Sequence, residues 1–116
     1  KLVYEQYISL LSDIPGIQLN PVQPGVRSNY GYFPVVFDGY RYSRDEIFDL
    51  LAAENIIARK YFYPITSSFD CYRGVPGFDP ASTPIARHMA DHVLCLPMYA
   101  DLAPSDVEHI CSLILH

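Results

Sequence analysis

A chain of 116 residues, half of them apolar, is long enough for one domain with a modest core. No apolar run approaches the roughly 20 residues of a membrane-spanning helix, and a net charge of −5 disfavours broad contact with a phosphate backbone, so neither membrane nor nucleic acid is an expected partner. The cysteines at 71, 95 and 111 cannot all pair within the chain and form no close metal-ligand pair, which fits reduced thiols in a cytoplasmic protein.

Lys1 leads straight into an amphipathic pattern of Val3, Tyr7, Leu10 and Ile14, with no initiator methionine or signal-type leader ahead of it. The chain therefore reads as a piece of a longer protein. A first helix is expected from Leu2 to Asp13, stopped by Pro15-Gly16, with a short strand at Ile17 to Leu19 after it. Turn formers Asn20, Pro21, Pro24, Gly25 and Ser28 follow. Tyr30 to Phe37 is the longest strand candidate, and Pro34 within it implies an edge position or a bulge.

Asp38-Gly39 turns the chain toward Ser43 and Glu46, which have the spacing of a capping box ahead of Ile47, Leu50 and Leu51. That helix should end at Glu54 or Asn55, and a strand from Ile57 to Phe62 should follow. Tyr63 to Ser82 carries Pro64, Gly74, Pro76, Gly77 and Pro80 without periodicity, a length that points to a functional or mobile segment. Ser82 or Thr83 then caps a third helix with Pro84 in its first turn, bearing Ile85, Ala86 and Met89. A strand at Val93 to Leu96 stops at Pro97, and the last helix places Val107, Ile110, Cys111 and Ile114 on one stripe.

The chemistry concentrates at Arg59-Lys60-Tyr61-Phe62-Tyr63-Pro64, two cations and three rings at the end of an expected strand. Alternation sends Arg59 and Lys60 to opposite sides, one toward solvent and the other toward a carboxylate or a ligand. His88 and His92 stand one helical turn apart, yet Met89 occupies the place of the glutamate of a hydrolytic zinc helix. With no third ligand near in sequence, they read as a surface pair beside Asp91. Cys95 and Cys111 read as small core residues, and Cys71 near Arg73 has no assigned base. Lys60 as a covalent lysine lacks the ring clamp and phosphate cup that a cofactor site requires.

Taken together, Asn29-Tyr30-Gly31-Tyr32-Phe33-Pro34, Ser43-Arg44-Asp45-Glu46, Ile57 to Pro64, and Val93-Leu94-Cys95-Leu96-Pro97-Met98-Tyr99 before Asp106-Val107 resemble the carboxy-terminal part of the DegT/DnrJ/EryC1/StrS sugar aminotransferases. The resemblance implies a pyridoxal-phosphate enzyme of fold type I, usually a homodimer, that aminates a nucleotide-linked keto sugar with glutamate as donor. It also implies that residues 1–116 are a single small domain. The cofactor-binding aspartate, the ring-stacking residue and the Schiff-base lysine of the family lie in a large amino-terminal domain, and their motifs do not occur here. No catalytic or cofactor-binding residue is therefore assigned, and the piece alone should not bind pyridoxal phosphate or transaminate.

The family's small domain serves the substrate side of the cleft, which makes Arg59, Lys60, Tyr61, Tyr63, Asn29 and Tyr30 the expected substrate contacts: cations for diphosphate, hydroxyls and rings for sugar or base. Many members carry a histidine-tyrosine pair where this chain has Lys60-Tyr61-Phe62-Tyr63-Pro64, which leaves the aminated ring carbon open. Alternation of strands and helices alone would equally allow a parallel sheet. The expected class, α+β with a small, mostly antiparallel sheet and helices packed on it, follows from the resemblance. The competing expectation is a non-catalytic ligand-binding or protein-interaction module that docks a partner through the aromatic segment.

Overall fold

A computed structural model describes residues 1–116. The elements in order are α1 (Leu2–Leu11), β1 (Ile17–Leu19), β2 (Phe33–Phe37), α2 (Arg44–Ala53), α3 (Pro84–His92), β3 (Val93–Leu96) and α4 (Pro104–Leu115), with single 3-10 turns at Thr66–Ser68, Asp70–Tyr72 and Pro80–Ser82 between α2 and α3. The strands form one antiparallel sheet in the order β1-β2-β3, so the class is α+β as expected. No helix is long and apolar enough to cross a membrane.

Strand alternation sorts the sheet into two faces. Ile17, Phe33, Val35, Phe37, Leu94 and Leu96 point into the core, where they meet Tyr7 and Leu11 of α1, Ile47 and Leu51 of α2, and the Val107, Ile110, Cys111 and Ile114 stripe of α4. Burying each large apolar side chain contributes about 1.5–3 kcal/mol, so this cluster dominates the stability of the domain. On the opposite face lie Val36 and Val93, both buried, with α3 packed against β2 through the side that carries buried Ala90.

The capping box forms as expected. Ser43 Oγ accepts from the Glu46 amide at 3.3 Å, and Glu46 Oε2 accepts from the Ser43 amide at 2.7 Å. The helix closes at Glu54, and Asn55 takes the left-handed conformation at φ 60°. The first helix is shorter than expected, ending at Leu11, because Asp13 already turns at φ 61°. Gly16, at φ 82°, then passes so close to the Asp38–Tyr40 segment that a Cβ there would lie 2.2 Å from the Tyr40 nitrogen.

Two strand expectations are corrected. The strand expected from Tyr30 begins at Phe33, because Tyr30 adopts φ 52° and Asn29 Oδ1 accepts from the Gly31 amide at 3.0 Å, closing a side-chain turn in place of a ladder. Pro34, expected at an edge or a bulge, lies in the central strand opposite Cys95. It breaks no bond there. Cys95 exchanges both of its backbone bonds with Arg59 on the other side, so Pro34–Cys95 is a non-hydrogen-bonded pair. The nitrogen of Pro34 faces the β1 side, where pairing has already ended at Leu19↔Val35.

The second correction concerns Ile57 to Phe62, which forms no strand. One bridge, Arg59↔Cys95, is all that pairs. The next hydrogen-bonding positions along that edge of β3 are Val93 and Pro97. The Val93 amide already donates to Met89 O and its carbonyl accepts from Arg44 at 3.3 Å, while Pro97 has no amide to give.

Candidate functional site

Beyond the free edge of β3, the single bridge fixes which way each side chain turns. Ala58 enters the core and Ile57 stands 81% exposed. Lys60 turns toward α2, where its Nζ meets Asp45 Oδ1 at 2.5 Å and lies 4.4 Å from the centre of the Phe48 ring. Arg59 turns the other way. Its side chain is exposed and joins none of the ion pairs of the domain.

Arg59 shares a shallow cleft of about 330 Å³ with Gly31, Tyr32, Cys95, Met98 and Tyr99. Tyr32, in its wall, accepts the hydroxyl proton of Tyr61 at 3.0 Å, with ring centroids 5.0 Å apart. Donating that proton, with some desolvation, holds the Tyr61 hydroxyl protonated above the ordinary tyrosine range. The cleft thus presents a free guanidinium and the phenols of Tyr32 and Tyr99, with Tyr61 hydrogen-bonded to Tyr32. Such a set can pair with an anionic group while offering hydroxyls and ring faces to a polar, partly apolar ligand.

The other expected contacts are placed differently. Lys60 is engaged by Asp45, and the Tyr63 ring lies 4.7 Å from the Arg44 guanidinium carbon. Tyr30 turns toward α1, with its ring 5.3 Å from that of Tyr4. Asn29 lines a neighbouring cleft with Gln23, Arg27 and Tyr32. Tyr32 closes the Asn29–Tyr32 stretch expected on the substrate side, whereas Tyr99, just past Pro97 in a motif segment, lies outside the expected contacts.

Arg44 was also missed. It is 2% exposed, and its Nη1 donates to the carbonyls of Ala90 at 2.9 Å and Val93 at 3.3 Å, a cation on the carboxy-terminal end of α3. Asp45 accepts from both Lys60 and Arg44 Nε, and the Lys60 contact foremost holds its carboxyl below the usual range. The site is therefore braced from α2.

Of the remaining reactive groups only Cys95 borders the cleft. Burial pushes the Cys95 and Cys111 thiols up, Cys111 to about 12, as suits core residues. Arg73 pairs with Asp70 at 2.5 Å. His88 and His92 are joined by Asp38, whose Oδ2 lies 3.0 Å from His88 Nε2, so the fold supplies the third group that the local sequence lacked. Pyridoxal phosphate does not fit the residues of this chain. Lys1 and Lys60 are the only lysines, Lys1 pairs with Glu5, and the ammonium of Lys60 is held by Asp45 between α2 and the edge segment.

Comparison with known proteins places this geometry in context. Residues 1–115 match the model of the DegT/DnrJ/EryC1/StrS aminotransferase family. Two curated relatives, both described as dTDP-4-amino-4,6-dideoxy-D-glucose transaminase, are 43% identical over 116 residues (Escherichia coli, 99% of this chain) and 39% identical over 109 residues (Shigella dysenteriae, 93% of this chain). The chain spans 31% and 29% of their respective lengths. Among solved structures, DesI in the presence of its TDP-sugar product superposes with a TM-score of 0.85 at 27% identity, over 97% of this chain and 29% of that one.

Proposed function

This chain belongs to the DegT/DnrJ/EryC1/StrS aminotransferase family, and on that premise we propose that it is the carboxy-terminal small domain of a pyridoxal-phosphate-dependent nucleotide-sugar aminotransferase. The whole enzyme exchanges the keto group of a nucleotide-linked sugar for an amino group, with glutamate as donor. The relatives' description favours a dTDP-linked 4-amino-4,6-dideoxy sugar as product. The cofactor is held outside this chain, in a large domain of the same protein, and the small domain supplies part of the substrate side.

The observation that carries this reading is the cleft that unpaired Arg59 shares with Tyr32 and Tyr99, the Tyr32 hydroxyl being linked to that of Tyr61. Arg59 suits the diphosphate, and the tyrosines suit the sugar or base. Lys60, paired with Asp45, acts as a brace that fixes the strand edge. Four apolar residues standing more than two-thirds exposed, Leu2 at 83%, Ile57 at 81%, Ile85 at 79% and Phe62 at 72%, support packing against the large domain and against a second copy in a homodimer.

The test is steady-state kinetics of the protein that carries this domain. Arg59→Ala is expected to raise KM for the nucleotide sugar about tenfold or more, the scale of a lost charge-assisted contact, with little change in KM for glutamate. Tyr61→Phe and Tyr32→Phe keep the rings and should act more weakly. If all three variants match the parent for both substrates, the cleft is not the substrate site and an interface role replaces it.

A further inference from the structure

We propose that Asp38, His88 and His92 form a site for one divalent transition-metal ion of the zinc class, on the face of the domain that carries α3. Asp38 follows the last residue of β2, and the two histidines lie one turn apart near the end of α3. One carboxylate oxygen and one ring nitrogen from each histidine lie within 4.8 Å of one another. In a tetrahedral zinc site with bonds of about 2.0–2.1 Å, ligand atoms stand roughly 3.4 Å apart. His88 Nε2 and Asp38 Oδ2 are already 3.0 Å apart. The third ligand needs a shift of up to about 1.4 Å, within reach of a side-chain torsion.

A second observation is independent of that spacing. His92 Nδ1 lies 2.7 Å from the His88 carbonyl oxygen, which can only accept, so Nδ1 carries the proton and Nε2 keeps its lone pair. Fixing an imidazole through its far nitrogen in this way is how proteins orient a metal-binding histidine. The two rings stack face to face at 4.1 Å and 29°, so binding requires one of them to turn until both in-plane lone pairs meet the ion. On coordination, the ion takes the place of the proton shared between His88 Nε2 and Asp38, and that proton moves to His88 Nδ1 or to solvent. Two imidazoles and one carboxylate favour zinc, nickel or copper over magnesium or calcium. Asp38 and His88 are each about half exposed, at 41% and 49%, so the ion can enter and one coordination position is left for water. Bound there, it ties the end of β2 to α3 across fifty residues of chain.

The experiment uses the chelator-treated protein that carries this domain, titrated with zinc chloride alone by calorimetry and with cobalt(II) by visible absorption. Expected are one zinc ion per chain, a rise in the unfolding temperature with added zinc, and cobalt bands without a thiolate charge-transfer band. His88→Gln and His92→Gln should each weaken zinc binding at least about tenfold with unchanged circular dichroism, while Cys71→Ser should bind as the parent does. Absence of saturable zinc binding would overturn the proposal and leave a histidine–aspartate ion pair. So would equal binding by the parent and both histidine variants, or a thiolate band that disappears in Cys71→Ser.

Discussion

The sheet with its helices and the segment from Tyr61 to Met89 use similar residues to opposite effect. In the first region, Phe33 stacks on Tyr7 at 4.7 Å, edge-packs on Tyr4, and is 2% exposed. In the second, Phe78 stacks on Tyr72 at 4.5 Å and 9°, yet it remains 39% exposed and no residue of the segment is buried. The backbone bonds of residues 65–82 reach only three residues back, as in Ser68 to Ile65, Tyr72 to Phe69 and Phe78 to Val75. Local bonds shape single turns but fix no position relative to the core. The domain is accordingly elongated, with a radius of gyration of 15.6 Å, where a compact chain of this length has about 13 Å.

The sharpest way to break this contrast is a matched pair of truncations. Phe33→Ala should cost about 3–5 kcal/mol, from lost transfer energy and a residual cavity. Phe78→Ala, which removes an equal ring from an equally close stack, should stay within about 0.5 kcal/mol in the domain alone. Denaturant midpoints measure both. Similar losses would show that the segment has a core of its own.

How far the sequence reveals this division depends on the range of the interactions. The α2 cap and the α4 stripe rest on residues three or four apart, and both are readable: Ser43 with Glu46, and Val107, Ile110, Cys111 and Ile114. The alternation of Arg59 and Lys60 is readable too, since one bridge suffices to set it. What fails is whatever depends on distant partners. Ile57 to Phe62 has strand composition, but the bonding positions beside it are consumed by Arg44 and by the helix end at Val93, or are absent at Pro97. Tyr30 loses its strand to an asparagine side-chain turn. Asp38 gives no local sign that it will stand beside His88. In the cleft, Arg59 and Tyr32 both lie in stretches the sequence marks, while Tyr99 comes from a segment that only the fold brings beside them.

Arg44 offers a prediction of intermediate size at the junction between the two regions. Replacing it with leucine leaves the Ala90 and Val93 carbonyls without their donor and also removes the cation over the Tyr63 ring. The apolar side chain recovers part of the packing, so the net loss should be about 2 kcal/mol. Hydrogen exchange distinguishes this from a uniform effect. Amides of α3 should lose protection well before those of α4, and equal loss in both helices would refute a role confined to the end of α3.

The smallest effect is a pH dependence that joins the same two regions through α2. The contact with Lys60 lowers the Asp45 carboxyl, and the bond from the Ser43 amide lowers that of Glu46. Both folded values lie below the unfolded ones, about 3.9 for aspartate and 4.3 for glutamate. Their stabilising contribution is therefore complete at neutral pH and is lost as the pH falls from the unfolded values through the folded ones. Both groups are solvent-accessible, so the effect should be modest and should shrink with added salt. The unfolding midpoint should stay level from pH 7 to about pH 5 and decline below about pH 4. Asp45→Asn should flatten that decline, and it should also free the Lys60 ammonium and so loosen the edge that carries Arg59. A protein whose midpoint falls identically with and without Asp45 would show that Lys60–Asp45 does not brace the site.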